Sequence, residues 1–320
     1  MLDAASRTPL SLLRDWIADC AAPDAFAWFE GRLALAAADS SERDLHITLG
    51  LIPRRLGKTD LALDAAALDA AAAARPGWRP VDWSLDGAAR LLTLLTLPAA
   101  EPGRFAERFK TLRITADAAE LIALFRGLPL YPEPDALAWE AGEALRSNLK
   151  PVFEAVAHRN PYPKERFDEH RWNQMVLKAL FIGAALHPID GLDARANPEL
   201  ARIMRDFAHE RWAAGRPAPY EIWRIVGPFS DDADAVADLT RALAAKEAAA
   251  TELTRKAAAL GLASSPSPEA KAHLAQSAPE LKSAIESGAL TWETLAAENA
   301  VKSANAAPDP VLPNATPAGA

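Results

Sequence analysis

Apolar residues recur along this chain at spacings of three and four, the pattern of helices that bury one face. Leu10, Leu13, Trp16 and Ile17 share a face of Pro9 to Ala22, and Phe26, Phe29 and Leu33 share a face of Pro23 to Ala38, which together predict an α-hairpin. Ser41 to Leu56 is ambiguous, because His46-Ile47-Thr48-Leu49-Gly50-Leu51-Ile52 suits a short strand as well as a helix. Pro53 would stop a strand, and with no partner strand nearby a helix is expected. An Ala-rich helix follows over Leu61 to Ala74, ended by Pro76-Gly77, and another over Ser84 to Leu97, with Ser84 as cap and Pro98 beyond the end. Asp117 with Glu120 three residues on has capping-box spacing ahead of Leu121, Leu124 and Phe125. Leu128 to Pro134 and Asn160 to Pro163 read as proline-stiffened connectors, with helices over Asp135 to Leu145 and Asn148 to Ala157 between them. A helix over Lys164 to Gly183, a loop over Leu186 to Ala196 and a helix over Pro198 to Ala214 complete the middle. The last has Asn197 as cap and Pro198 at the first position, where a missing N–H costs nothing.

From Asp231 onward short Ala-rich helices alternate with Ser/Pro breaks, and Ser267-Pro268 and Ser277-Ala278-Pro279-Glu280 have the form of helix starts. The run Arg255 to Leu260 is similar to one degenerate HEAT-type unit. After about Asn299 the periodicity stops among prolines and small residues. The fold expected is therefore all-α: a multi-helix domain of α-solenoid or HEAT-like kind over 1–298, with a motif-dense core at 145–229 and helical pairs at 230–298. A disordered tail over 299–320 is expected after it.

Composition narrows this picture. Half of the 320 residues are apolar, enough for a core of ordinary size, and the Ala/Leu richness argues against an all-β chain. Cys20 stands alone, so neither a disulfide framework nor a cysteine-based zinc site is expected, and the cytoplasm is the expected location. No apolar run approaches the roughly 20 residues of a spanning helix, and no secretory leader is evident at the start.

The formal charge of -8 is uneven, with a net -6 over 1–144, +3 over 145–229 and -5 over 230–320. An acidic chain with a mildly basic centre is a poor nucleic-acid binder, because non-specific affinity needs many phosphate contacts, yet it leaves room for a pocket for a small anion. Four of the six histidines, His158, His170, His187 and His209, fall in that centre together with Trp172, Trp212 and Trp223.

On a helical wheel the segment Trp172 to Phe181 is apolar almost all round. Arg171, Gln174 and Lys178 form a narrow polar strip, and Asn173 falls on an apolar flank. A buried Asn or Lys needs a partner, so two readings stand. Either Asn173 caps a neighbouring helix and Lys178 pairs with a carboxylate, or Asn173, Gln174 and Lys178 line a ligand pocket. In Pro198 to Ala214 the apolar stripe is Leu200, Met204, Phe207 and Ala208, with Arg202, Arg205 and His209 opposite; Arg211 projects into the stripe. It calls for pairing, with Asp190 or Asp193 as candidates, or for anion recognition. Asp206 with His209, and Glu154 with His158, have spacings that place each pair on one helix face, but the Glu-x-x-His set of a helical di-metal site is incomplete and no His-Glu-x-x-His is present. No metal and no cofactor are expected. No Gly-x-Gly-x-x-Gly, Walker loop or Gly-x-Ser-x-Gly elbow occurs, so the catalytic residues are unknown.

Four stretches together resemble the EboA family: Trp172 to Phe181, Gly191 to Ala201, Ala208 to Arg216 and Ile222 to Phe229. Ser287 to Glu293 is also similar. The resemblance implies company rather than chemistry: a bacterial gene cluster that also encodes proteins like a UbiA prenyltransferase, a dehydroquinate synthase, a sugar-phosphate isomerase and a TatD hydrolase. That implies secondary metabolism of a prenylated cyclitol-like compound, or export of a pigment precursor. Two functions follow as expectations. One is a non-catalytic accessory or scaffold protein whose partners are other proteins of that cluster. The alternative is an enzyme or small-molecule binder acting on a phosphorylated or polyhydroxylated metabolite, with Asn173, Gln174, Lys178, Arg195, His209 and Arg211 as ligand-binding residues.

Overall fold

The computed structural model describes residues 7–39, 41–98, 101–245 and 251–305. Eighteen α-helices and no sheet occur among them. Contact clustering divides the chain into two compact units, Met1–Arg195 and Ala196–Ala320, and the motif-dense centre lies partly in each. The first unit contains α1 (Pro9–Cys20), α2 (Pro23–Ala37), α3 (Glu42–Arg55), α4 (Ala65–Ala74), α5 (Leu85–Leu95), α6 (Arg104–Thr115), α7 (Ala118–Arg126), α8 (Ala138–Arg146), α9 (Lys150–Ala157), α10 (Tyr162–Arg166) and α11 (Glu169–Phe181). The second contains α12 (Pro198–Ala213), α13 (Ile222–Val226), α14 (Ala233–Leu243), α15 (Thr251–Ser264), α16 (Pro268–Ser277), α17 (Pro279–Glu286) and α18 (Trp292–Asn305).

Side-chain caps set many of these boundaries. Ser84 accepts from the Gly87 N–H at the start of α5, Asp117 and Glu120 form the reciprocal capping box of α7, and Asn197 accepts from the Leu200 N–H with Pro198 in the first turn of α12. Asp64 sets the start of α4 four residues later than periodicity alone suggests. Its carboxylate takes the Ala67 N–H at 2.8 Å, while Leu61 is drawn into an extended contact with the Trp83 carbonyl at 2.9 Å. The single helix expected over Lys164 to Gly183 is two, because Phe167 is extended and Asp168 caps a new helix by accepting from the Arg171 N–H. Helix α6 is an element the periodicity does not predict: five of its twelve residues are charged, and its buried apolar face is only Phe105, Phe109 and Leu112. The ambiguous segment is helical as expected, with Pro53 inside the last turn of α3.

The first unit is organised around α5, which packs on α1, α3 and α7. Nine of its residues are buried, including Asp86 and Arg90. Pro53 has no N–H to give the Leu49 carbonyl, and Arg90 Nε donates to that carbonyl at 3.3 Å. Arg90 Nη1 pairs with Asp86 at 2.9 Å and Nη2 lies 3.9 Å from Glu120. The buried cation is thus matched both by carboxylates and by a carbonyl that its own helix would have left unpaired.

The second unit is organised around α15, which packs on α13, α14, α16, α17 and α18 and buries Ala257, Ala258, Ala259, Leu260 and Leu262. Small residues allow this. A Cβ on Gly227 would stand 2.7 Å from Gly261 Cα, and one on Gly261 would stand 2.6 Å from a Leu239 methyl carbon, so the backbones meet where side chains would keep them apart. The segment expected to be disordered from 299 is helical as far as Asn305, supported by Lys302 Nζ on Glu298 at 2.7 Å. The rest of that expected tail, 306–320, lies outside the described residues. No helix among the described residues is long and apolar enough to cross a membrane.

Candidate functional site

A cleft of about 640 Å³ opens between α8 and α11 in the first unit. Each helix supplies one face at helical spacing: Trp139, Gly142, Glu143 and Arg146 from α8, and His170, Arg171, Gln174 and Lys178 from α11. The opposite side of α11 explains why these polar residues point outward. Trp172, Met175, Val176 and Ala179 are buried in the core, so the polar strip at 171, 174 and 178 is left for the cleft.

The charges in the cleft are unevenly satisfied. Glu143 is the carboxylate of its lining, and Arg146 one turn along α8 is ion-paired with it; the same guanidinium lies 5.5 Å from the centre of the Trp139 ring. Arg171 and Lys178 have no carboxylate within ion-pairing distance among the described residues. Arg171 Nη1 donates to the Ala138 carbonyl at 3.1 Å, and Lys178 Nζ donates to the Ser147 carbonyl at 3.1 Å. Removal from water pulls the Lys178 ammonium below the usual lysine value. Trp139 is 61% exposed at the edge. Two cations held by neutral carbonyls, an amide at Gln174 and an open indole face are suited to an anionic molecule bearing hydroxyls or a ring.

The six residues singled out in the sequence do not gather in this cleft. Gln174 and Lys178 line it, and the partner of Lys178 is a main-chain carbonyl rather than the carboxylate anticipated. Asn173, one position away, is buried on the core side of α11. Arg195 serves the backbone: its Nη1 donates to the carbonyls of Pro163 at 3.0 Å, Lys164 at 3.3 Å and Phe167 at 2.8 Å, while its guanidinium lies 4.7 Å from the Trp172 ring centre. Those carbonyls lie in α10 and just after it, where a helix end leaves acceptors short of donors, although the Pro163 carbonyl also accepts from the Phe167 N–H at 3.1 Å. In the second unit, His209 Nε2 is 2.7 Å from Asp238 of α14, which also accepts from Arg205 at 2.8 Å. Arg211 is half-buried and donates to the Pro217 carbonyl at 3.1 Å, closing the turn after α12. The carboxylate partner expected for it is replaced by that carbonyl, and Asp190 faces Lys164 at 3.8 Å instead.

The sequence reading missed Arg146, Trp139 and Glu143, which belong to a helix valued only for its apolar periodicity. A signal was available in their spacing of four and three, which places 139, 143 and 146 on one helix face as the spacing of three and four does for 171, 174 and 178. As for metals, Asp206 pairs with Arg202 at 2.6 Å rather than sharing a ligand with His209. His158 Nε2 is engaged by the Ala185 carbonyl at 2.8 Å, with Glu154 3.9 Å from its other nitrogen. No three His, Cys, Asp or Glu side chains among the described residues gather as metal ligands.

The family described as metabolite traffic protein EboA matches residues 10–227, more than half of the chain. No curated protein and no solved structure matches it.

Proposed function

The chain belongs to the EboA family, and from that membership we propose that it is a cytoplasmic accessory protein that holds a small anionic metabolite in the α8/α11 cleft and delivers it without transforming it. The observation that carries this reading is the pair Arg171 and Lys178, which face the cleft with main-chain carbonyls as their partners. Neutral carbonyls orient a cation but leave its charge for a ligand. Holding rather than chemistry is favoured because the carboxylate of the lining, Glu143, is engaged by Arg146 and so is not free to face a bound molecule as a general base. The metabolite class is a phosphorylated or polyhydroxylated ring, with the anion on Arg171 and Lys178 and the ring against Trp139. The receiving partners are other proteins of an Ebo-type bacterial cluster for a prenylated cyclitol-like secondary metabolite.

The test is calorimetric titration of the full chain with an inositol monophosphate, alongside the Arg171→Met/Lys178→Met double variant. The parent chain is expected to bind at a cleft site that the variant weakens by roughly 100-fold or more, from two charge-assisted contacts, so that one class of sites drops out of the isotherm. Equal affinity in the two proteins sinks the cleft assignment. Release of free phosphate or a rearranged product during the titration, followed by phosphorus NMR, would sink the delivery reading in favour of an enzyme.

A further inference from the structure

A second cavity of about 220 Å³ in the first unit lies away from α8 and α11 and collects three arginines: Arg79 from the link before α5, Arg126 from the last turn of α7, and Arg159 from the link after α9. Three distant stretches of chain supply them. Asp82 spaces two of the three, with its carbonyl accepting from Arg126 Nη1 at 3.1 Å and its carboxylate pairing with Arg159 Nη1 at 3.1 Å. Both Asp82 and Arg159 are held in the left-handed region, at φ 59° and 50°, a conformation that non-glycine residues adopt at a cost and that folds meet mainly where a side chain must be aimed. Buried Asn160 fixes the floor: its amide donates to the carbonyls of Phe125 at 3.1 Å and Ala155 at 3.0 Å, joining the ends of α7 and α9, while its own carbonyl accepts from the Tyr162 N–H at 3.0 Å.

The charge balance of this cavity points in one direction. Of the two carboxylates that line it, Asp82 is taken by Arg159 and Glu154 faces Lys150 at 3.7 Å. His158, also in the lining, is kept neutral near pH 7 by burial, its pKa lowered to about 4. Arg126 is half-buried and has no carboxylate within ion-pairing distance among the described residues, and burial makes its guanidinium a weaker base than usual. Arg79 is exposed and likewise has no ion-pair partner among them. A half-buried guanidinium with no counter-charge is costly unless an anion arrives from outside. A neighbouring cavity of about 290 Å³ shares Trp83, Ile122 and Arg126 with the first, so a group attached to that anion has room beside it.

We propose that Arg79, Arg126 and Arg159 form a second ligand site, independent of the α8/α11 cleft, that takes the phosphate group of a small phosphate monoester. Planar guanidinium groups match phosphate oxygens in paired hydrogen bonds, and the first cavity has the size of the phosphate while the second accepts the organic part. The reading does not depend on the cleft, because no residue lines both.

The experiment uses the full chain, inorganic phosphate and glycerol phosphate as probes, and sodium chloride at matched ionic strength as control, with affinity read by calorimetry and stabilisation by thermal melts. Arg126→Met and Arg79→Gln are expected to weaken phosphate binding at this site at least tenfold each, whereas Arg171→Met/Lys178→Met is expected to leave it unchanged. Glycerol phosphate is expected to bind at least as tightly as phosphate. Without phosphate, Arg126→Met is expected to fold and melt no lower than the parent, since it removes an unmatched charge. Stabilisation no greater than that from chloride, or phosphate affinity unchanged in both Arg126→Met and Arg79→Gln, overturns the proposal. Arg79 is exposed and its replacement is not expected to disturb folding, so that arm decides the matter if Arg126→Met fails to fold.

Discussion

Arg90 and Arg126 lie on the neighbouring helices α5 and α7, and both side chains are withdrawn from water, yet their surroundings are opposites. Arg90 is 4% exposed and is met by Asp86, by Glu120 and by the carbonyl that Pro53 leaves open. Arg126 meets one carbonyl, that of Asp82, and a cavity. Burial is therefore a poor guide to the role of an arginine, and the kind of partner is a better one. Where carboxylates surround the guanidinium the fold is complete, and where only carbonyls touch it a charge is left to be met. Among the arginines held by carbonyls, the number of partners makes a further distinction: three carbonyls and an aromatic ring enclose Arg195 at the end of α10, whereas Arg171 has one carbonyl and faces an open cleft.

The largest effect that would test this division is at Arg90. Arg90→Met leaves Asp86 buried without its partner and should cost about 3–5 kcal/mol, measured by urea unfolding; a loss below about 1 kcal/mol would mean that its partners contribute little and would erase the contrast. Next comes pH. His158 has a folded pKa of about 4, below the usual 6.5, so the unfolded chain takes up the proton first. Its contribution to stability is full above about 6.5, declines as pH falls through the window from about 6.5 to about 4, and amounts to up to about 3 kcal/mol. Unfolding midpoints of the parent and of His158→Gln across that window should show the slope reduced in the variant; an unchanged slope would assign it to other groups. Arg195→Met should cost about 1–3 kcal/mol through the released carbonyls, read in the same urea melts. Smallest of all, Arg126→Met without added anion should stay within about 0.5 kcal/mol of the parent, and a loss comparable to that of Arg90→Met would break the comparison outright.

Local chemistry made much of the fold legible. Ser84, the Asp117–Glu120 box, and Asn197 with Pro198 act within one turn of themselves, so their roles could be read without knowing what lies across from them. The polar strip at 171, 174 and 178 was readable for the same reason, since periodicity places a face before it places a neighbour. The chain did not disclose where long side chains reach. Arg195 and Arg211 looked like candidate ligand cations because a sequence shows the charge and hides the carbonyls that accept it. Helix α6 escaped because five charged residues interrupt its apolar face, and one of them, Arg108, is itself buried. The arginines at 79, 126 and 159 form no pattern along the chain, and they come together only because α7 and α9 converge on Asn160, a residue whose context suggested no more than a connector.

Pro53 and Arg90 also constrain how this chain can change over generations of substitution. The proline creates an acceptor that the arginine satisfies, and the arginine in turn is tolerated in the centre of α5 partly because that acceptor exists. Two positions thirty-seven residues apart therefore behave as one inherited unit. A loss at either alone leaves the other worse placed, and their substitution costs will not add. In a set of related chains, the pair is expected to be kept or lost together.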